Sequence, residues 1–165
     1  MTEKALFTPK IYEDWMGSTQ REKIAQIVDR VDVKNNSMVL DIGSGPGFLY
    51  DFVPNVVAVD VDTEGLRRNK SRKVLATGDQ LPLANSSFDL VFCLDAVHLL
   101  SGVEEFTRVL KKDGEAVTTR YCSEYNKTAR MRELKNIFSE WKVIDEFFVG
   151  PQDKELDAVI VCRAR

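Results

Sequence analysis

The stretch VLDIGSGPGFLYDF, Val39 to Phe52, constrains the fold more than any other part of the chain. A short apolar segment carrying one acid, Asp41, runs into glycines at alternate positions, Gly43, Gly45 and Gly47, and apolar residues resume after them. A strand ending in a glycine turn that opens a helix is how α/β folds hold a ligand, because glycine reaches positive φ and lets the ligand approach the backbone. The spacing is GxGxG, not the GxGxxG that seats a pyrophosphate on a helix N-terminus. Pro46 removes a backbone donor that a phosphate would use. No Walker lysine follows, which argues against a nucleoside triphosphate site.

The remaining chain reads as alternating strands and helices. Thr19 and Glu22 have capping-box spacing, and Ile24, Ile27, Val28 and Val31 then share a helical face. Strands are expected at 38–42, 55–60, 73–77 and along FDLVFCLDA, with a short basic helix over 63–70. Val103, Phe106 and Leu110 mark another helix, which KKDG is expected to stop before the strand EAVTTRY. Met131, Leu134, Ile137 and Phe138 mark the last helix, and strands near 142–149 and 155–162 follow. Such alternation predicts an α/β fold with a mainly parallel sheet. The 165 residues suit one domain, with 1–36 as an N-terminal lid and helix segment and 37–165 as the core.

Bulk properties narrow the function. A net charge of -3 argues against general nucleic-acid affinity. Cys93, Cys122 and Cys162 are odd in number and widely spaced, so neither a disulfide framework nor a zinc site is expected, and no metal is assigned. No apolar run is long enough to span a bilayer and no apolar signal core stands near the N-terminus, so the expected location is the cytoplasm, with no membrane partner. The run RRNKSRK, 67–73, reads as a solvated helix face, since no aromatic lies in it to stack on bases.

Further blocks stand in register with the glycine turn. Asp60 ends the second strand, 19 residues after Asp41, where an acid can accept both hydroxyls of a ribose. ATGDQLPL puts Asp79 after the third strand, and SSFDLVFCLDAVHLL and RVLKKDGEAV follow in order. From about Val39 to Val117 the chain resembles class I S-adenosylmethionine-dependent methyltransferases, of the type-11-like group acting on small molecules. The resemblance implies a Rossmann-like domain whose sheet has seven mostly parallel strands, helices on both faces and an antiparallel last strand. It implies S-adenosylmethionine as cofactor and S-adenosylhomocysteine as product.

Carried over by position, Gly43, Gly45 and Gly47 would pass beneath the methionine part and Asp41 would sit near its amino group. Asp60 would bind the ribose, Asp79 and Gln80 would read the adenine edge, and Leu81 would pack on the ring. Each has a structural alternative: Asp41 and Asp79 as turn residues, Asp60 as a helix cap and Leu81 as core, with Asp62 the better cap.

In-line methyl transfer depends on positioning, and needs a base only when the acceptor loses a proton. Asp95 and His98 follow the fourth strand and are the candidate catalytic residues; a packing role competes for the histidine. CLDAVHLL lacks the prolines of the family members that modify amide or exocyclic nitrogens. CSEYNKTARM leaves no room for a separate cap, so the acceptor site must be closed by the N-terminal segment, a second copy in a homodimer, or a partner protein. Phe7, Tyr12 and Trp15 are candidate lid residues. A small-molecule acceptor is the main expectation. A protein- or RNA-directed enzyme, a noncatalytic binding module and, with its glycine spacing against it, a nicotinamide dehydrogenase are the alternatives.

Overall fold

The structure, a computed structural model, describes residues 9–151 and 155–165, with side chains from residue 16 onward. Helix α1 (Pro9–Val28) leads into β1 (Val39–Ile42), and a 3-10 turn follows over Phe48–Asp51. Then come β2 (Val56–Asp60), α2 (Thr63–Arg68), β3 (Arg72–Leu75) and β4 (Phe88–Cys93). A 3-10 turn at Val97–Leu99, α3 (Glu104–Val109), β5 (Leu110–Cys122), α4 (Lys127–Ile137), β6 (Trp141–Val149) and β7 (Leu156–Ala164) complete the described elements. The seven strands form one sheet in the order β3-β2-β1-β4-β5-β7-β6. The first five run parallel, and β7 is antiparallel to both β5 and β6, as the family resemblance implies.

Strand periodicity sorts the core into two layers. Leu40, Ile42, Val91, Cys93 and Ala116 face α3 and α4, where Phe106, Leu134 and Phe138 are buried. Val39, Leu90, Phe92, Val117, Val159 and Val161 face α1, through Ile24 and Ile27, and the turn residues Phe48 and Leu49. Each large side chain so enclosed contributes roughly 1.5–3 kcal/mol. Alternation also places Asp41, Thr119 and Asp157 on the α1 side, each two residues from an apolar member of that layer. All three are buried, so this layer turns polar at the end of the sheet where the parallel strands finish.

Two sequence expectations need correction. Thr19 lies inside α1, not at its start, because the helix begins ten residues earlier. The inward stripe of α1 is Gln20, Lys23, Ile24 and Ile27, at helical spacing but with polar residues first, so apolar periodicity begins too late to mark the true start. Nor does KKDG separate helix from strand. Phe88 pairs with Leu110 and Leu90 with Glu115, so residues 111–114 bulge out of a strand already begun, with Asp113 at φ +65°. Phe7 and the side chains of Tyr12 and Trp15 lie outside the described residues.

Candidate active site

Strand order reverses between β1 and β4: the chain steps from β1 outward to β2 and β3, then returns to the other side of β1. Ligands in open α/β sheets bind beyond the strand ends at such a switch. A cavity of about 450 Å³ opens there, walled by the glycine turn, the ends of β2 and β3, residues 94–96 after β4, and Gln20 and Ile24 of α1.

The glycines have different tasks. Gly43, Gly45 and Gly47 have φ of +72°, +49° and +84°, in the left-handed region that a side chain disfavours. A Cβ on Gly45, a residue of the cavity wall, would meet open space, whereas one on Gly47 would overlap the Asn69 carboxamide. Asn69 caps α2 and is buried. Its Nδ2 donates to Ser44 Oγ and Gly45 O, both at 3.2 Å, and its Oδ1 accepts from Ser71 N at 2.9 Å. It braces the turn from behind. Sequence reasoning missed it, because it sits inside the basic run that reads as a solvated face.

Asp60 is the other brace. Its Oδ2 accepts from Gly45 N at 2.7 Å and its Oδ1 from Asp62 N at 2.8 Å. Asp62 caps α2, accepting from Glu64 N and Gly65 N. Asp41 is 4 % exposed, and its carboxyl finds no hydrogen-bond donor among the described residues. Burial, with the Asp60 charge second, pushes it up to about 7.

After β3, Thr77 and Gly78 line the cavity, whereas Asp79, Gln80 and Leu81 are not among its lining residues. Asp79 accepts from Ser101 N at 2.7 Å and Ser101 Oγ at 3.3 Å. Gln80 is exposed, and Leu81 is buried in the core, its N–H donating to Glu105 at 2.7 Å. Arg108 holds the carbonyls of Leu81 and Leu83 and, by hydrogen bonding, draws Glu105 down to about 2.

Asp95 lines the cavity at φ +54°, held by Thr119 of β5: its N–H donates to Thr119 Oγ1 at 2.9 Å, and that hydroxyl donates to Asp95 Oδ1 at 3.1 Å. His98 is exposed and is not among the lining residues. Burial and the nearby Arg120 lower its pKa. The thiols of Cys93 and Cys122, both buried, are pushed up by burial, which makes them poor nucleophiles.

Four aspartates line the cavity, Asp41, Asp60, Asp62 and Asp95, with no lysine, arginine or histidine among the lining residues. This donor set, the unpaired Asp41 carboxyl and the open side of Gly45 fit a ligand carrying an ammonium and a sulfonium and lacking phosphate.

Residues 40–118 match the methyltransferase domain family. An uncharacterized protein of Methanocaldococcus jannaschii, MJ0638, is 30% identical over 129 residues, 74% of this chain and 55% of its own length. The rat thiol S-methyltransferase TMT1B is 27% identical over 161 residues, 86% of this chain and 66% of its own. The chain spans about half the length of the archaeal relatives it matches. A SAM-dependent methyltransferase structure from Aquifex aeolicus superposes with a TM-score of 0.69 at 17% identity, covering 95% of this chain and 100% of the other. No helix among the described residues is long and apolar enough to cross a membrane.

Proposed function

The chain belongs to the class I S-adenosylmethionine-dependent methyltransferases, and from that premise we propose that it transfers a methyl group to a small-molecule acceptor bearing a nucleophilic sulfur or oxygen. The observation that carries this reading is the cavity at the β1/β4 switch, lined by four aspartates and no cationic side chain. S-adenosylmethionine, when bound, supplies an electrophilic methyl on a cationic sulfur. Asp41, the only lining carboxylate nine-tenths buried and without a donor, would hold the ammonium. The cavity side of Gly45 would take the methionine backbone.

Asp60 would accept the ribose hydroxyls on the lone pairs not used by Gly45 N and Asp62 N. Thr77 and Gly78 of the cavity wall would flank the adenine, and Asp79 and Gln80, which follow them in the chain, would reach its edge. Gln20 and Ile24 of α1 line the cavity and would help keep water from the sulfonium. Asp95, on the cavity wall, would receive a proton from the acceptor. The kinship to a thiol S-methyltransferase supports a sulfur acceptor.

Binding of S-adenosylhomocysteine by calorimetry, followed by transfer of labelled methyl into a cell extract separated into small molecules, protein and RNA, tests the reading. Label in the small-molecule fraction is expected. Label confined to protein or RNA would reassign the acceptor, and binding without label in any fraction would favour a noncatalytic module.

A further inference from the structure

A second cavity, of about 620 Å³, opens over the end of β5 and the start of β7. Its walls are Tyr121 and the turn residues Ser123 to Tyr125 after β5, Thr19 of α1, and Pro151 and Glu155 between β6 and β7. Two elements place it beside the cofactor cavity. On α1, Thr19 borders the second cavity and the next residue, Gln20, borders the first. On β5, Thr119 holds Asp95 on the wall of the first cavity, and Tyr121 lines the second. Thr119 and Tyr121 are two residues apart, so they share the α1 face of the sheet at a spacing of about 6–7 Å. The Tyr121 ring agrees with this, lying 5.6 Å from Lys23 Nζ of α1. The second cavity therefore adjoins the first on the side of Asp95, the residue that would receive a proton from the acceptor.

The chemistry of the walls selects what fits. Tyr125 is fully exposed and Tyr121 nearly half exposed, so both rings offer surface for a ligand to bury. Glu124 and Glu155 are the lining carboxylates. Glu124 is paired with Lys127 Nζ at 2.6 Å, whereas the Glu155 side chain has no ion-pair or hydrogen-bond partner among the described residues. No lysine, arginine or histidine is among the described lining residues. Lys23, beside Tyr121, is buried and donates to Asp157 at 2.8 Å, so its charge is balanced within the protein. One negative charge, on Glu155, is left uncompensated in a cavity with two tyrosine rings. An anionic ligand would be repelled there. A cation gains twice, because tyrosine presents the negative face of its ring and the carboxylate accepts charge-assisted hydrogen bonds.

We propose that the second cavity is the acceptor subsite and that its acceptor is an organic ammonium, with the charged group at Glu155 and an apolar or aromatic body against Tyr121 and Tyr125. The thiol or hydroxyl at the other end of the molecule then reaches past the Thr19–Gln20 boundary to Asp95. This inference rests on the transferase reading and names the acceptor class for that site. In the step, the acceptor's sulfur or oxygen forms the bond to the methyl carbon. The sulfonium–methyl bond breaks with its electrons staying on the cofactor's sulfur, and the acceptor proton passes to the Asp95 carboxylate.

The test is calorimetric titration of three probes into the full chain saturated with S-adenosylhomocysteine, which keeps them from the aspartates of the first cavity. Tyramine is the cationic probe, para-ethylphenol its neutral counterpart and para-hydroxyphenylpropionate its anionic one. Tyramine is expected to bind at least about tenfold more tightly than para-ethylphenol, as one charge-assisted hydrogen bond allows, and the propionate more weakly than either. Glu155→Gln should bring tyramine to the level of para-ethylphenol and leave para-ethylphenol unchanged, whereas Tyr125→Ala should weaken both. No binding of tyramine, equal or tighter binding of the neutral or anionic probe, or a tyramine preference that survives Glu155→Gln would overturn the proposal. The contrast among the three probes decides even if a variant does not fold. Saturation by S-adenosylhomocysteine is read in the same sample. Saturation without a tyramine preference sinks this inference alone, and failure to saturate sinks the cofactor reading.

Discussion

Asp60 Oδ2 accepts a 2.7 Å hydrogen bond from the backbone N–H of Gly45, 15 residues earlier in the chain, and so ties the end of β2 to the middle of the glycine turn. The same carboxylate is the proposed ribose ligand. Its structural and binding roles share one side chain, and a substitution there must disturb both.

For Asp60→Ala, two backbone donors, Gly45 N and Asp62 N, lose their acceptor. Unfolding of the ligand-free protein in denaturant should show a loss of about 1–3 kcal/mol. Calorimetry should show S-adenosylmethionine binding weakened at least about tenfold beyond that, the equivalent of a further 1.4 kcal/mol. Equal losses in the two measurements would leave Asp60 with a bracing role alone.

The Asp41 carboxyl gives stability a pH dependence of definite sign. Its pKa rises from 3.8 in the unfolded chain to about 7 in the fold. Between those values the native state keeps a proton that the unfolded state has lost, so Asp41 lowers stability as pH rises through that window. Asp41→Asn should therefore stabilise the ligand-free protein at pH 8 by about 2–4 kcal/mol relative to its effect at pH 4. Chemical denaturation at the two pH values checks this. A difference of the opposite sign would show that Asp41 is ionised without cost.

Binding of a cation beside Asp41 should expel that proton. Calorimetry at pH 6 in buffers of different ionisation enthalpy should show close to one proton released per S-adenosylmethionine bound. Asp41→Asn should abolish that release while binding more weakly.

Gly45 and Gly47 separate ligand space from packing space. Gly47→Ala would drive a methyl into Asn69 as well as straining a positive φ, and should cost about 2–4 kcal/mol of stability. Gly45→Ala meets no neighbouring atom and should cost about 1–2 kcal/mol of backbone strain, yet weaken S-adenosylmethionine binding more than Gly47→Ala does. Thermal unfolding and calorimetry on both variants read the contrast.

The fold was legible because each central strand carries apolar residues on both faces and each turn carries glycine or acid, as at Asp41–Gly47. What resisted reading was polar residues placed where periodicity expects apolar ones. Gln20 and Lys23 occupy inward positions of α1, so the helix registered only from Ile24 onward. Asn69 is a buried brace inside a basic run, and Asp157 looks like one acid among several before an apolar strand. Their meaning depends on partners far along the chain: Ser44 for Asn69, and Lys23, 134 residues away, for Asp157. Local pattern carries no record of such pairs. The bulge at 111–114 escaped for a similar reason, since the pairing of Leu110 with Phe88 is a property of the sheet rather than of KKDG.

The insertion of β7 between β5 and β6 bears on how the protein is made. On the ribosome β6 emerges before β7, yet β7 is its only partner in the sheet. Until β7 is translated, the nine residues Trp141–Val149 have no strand to pair with, and β5 waits with an open edge. The strands of the cofactor cavity, β1 to β4, are synthesised before either. Translation therefore completes strands β1 to β4 first, and a pause between Val149 and Leu156 would leave the edge of β5 and the whole of β6 unpaired.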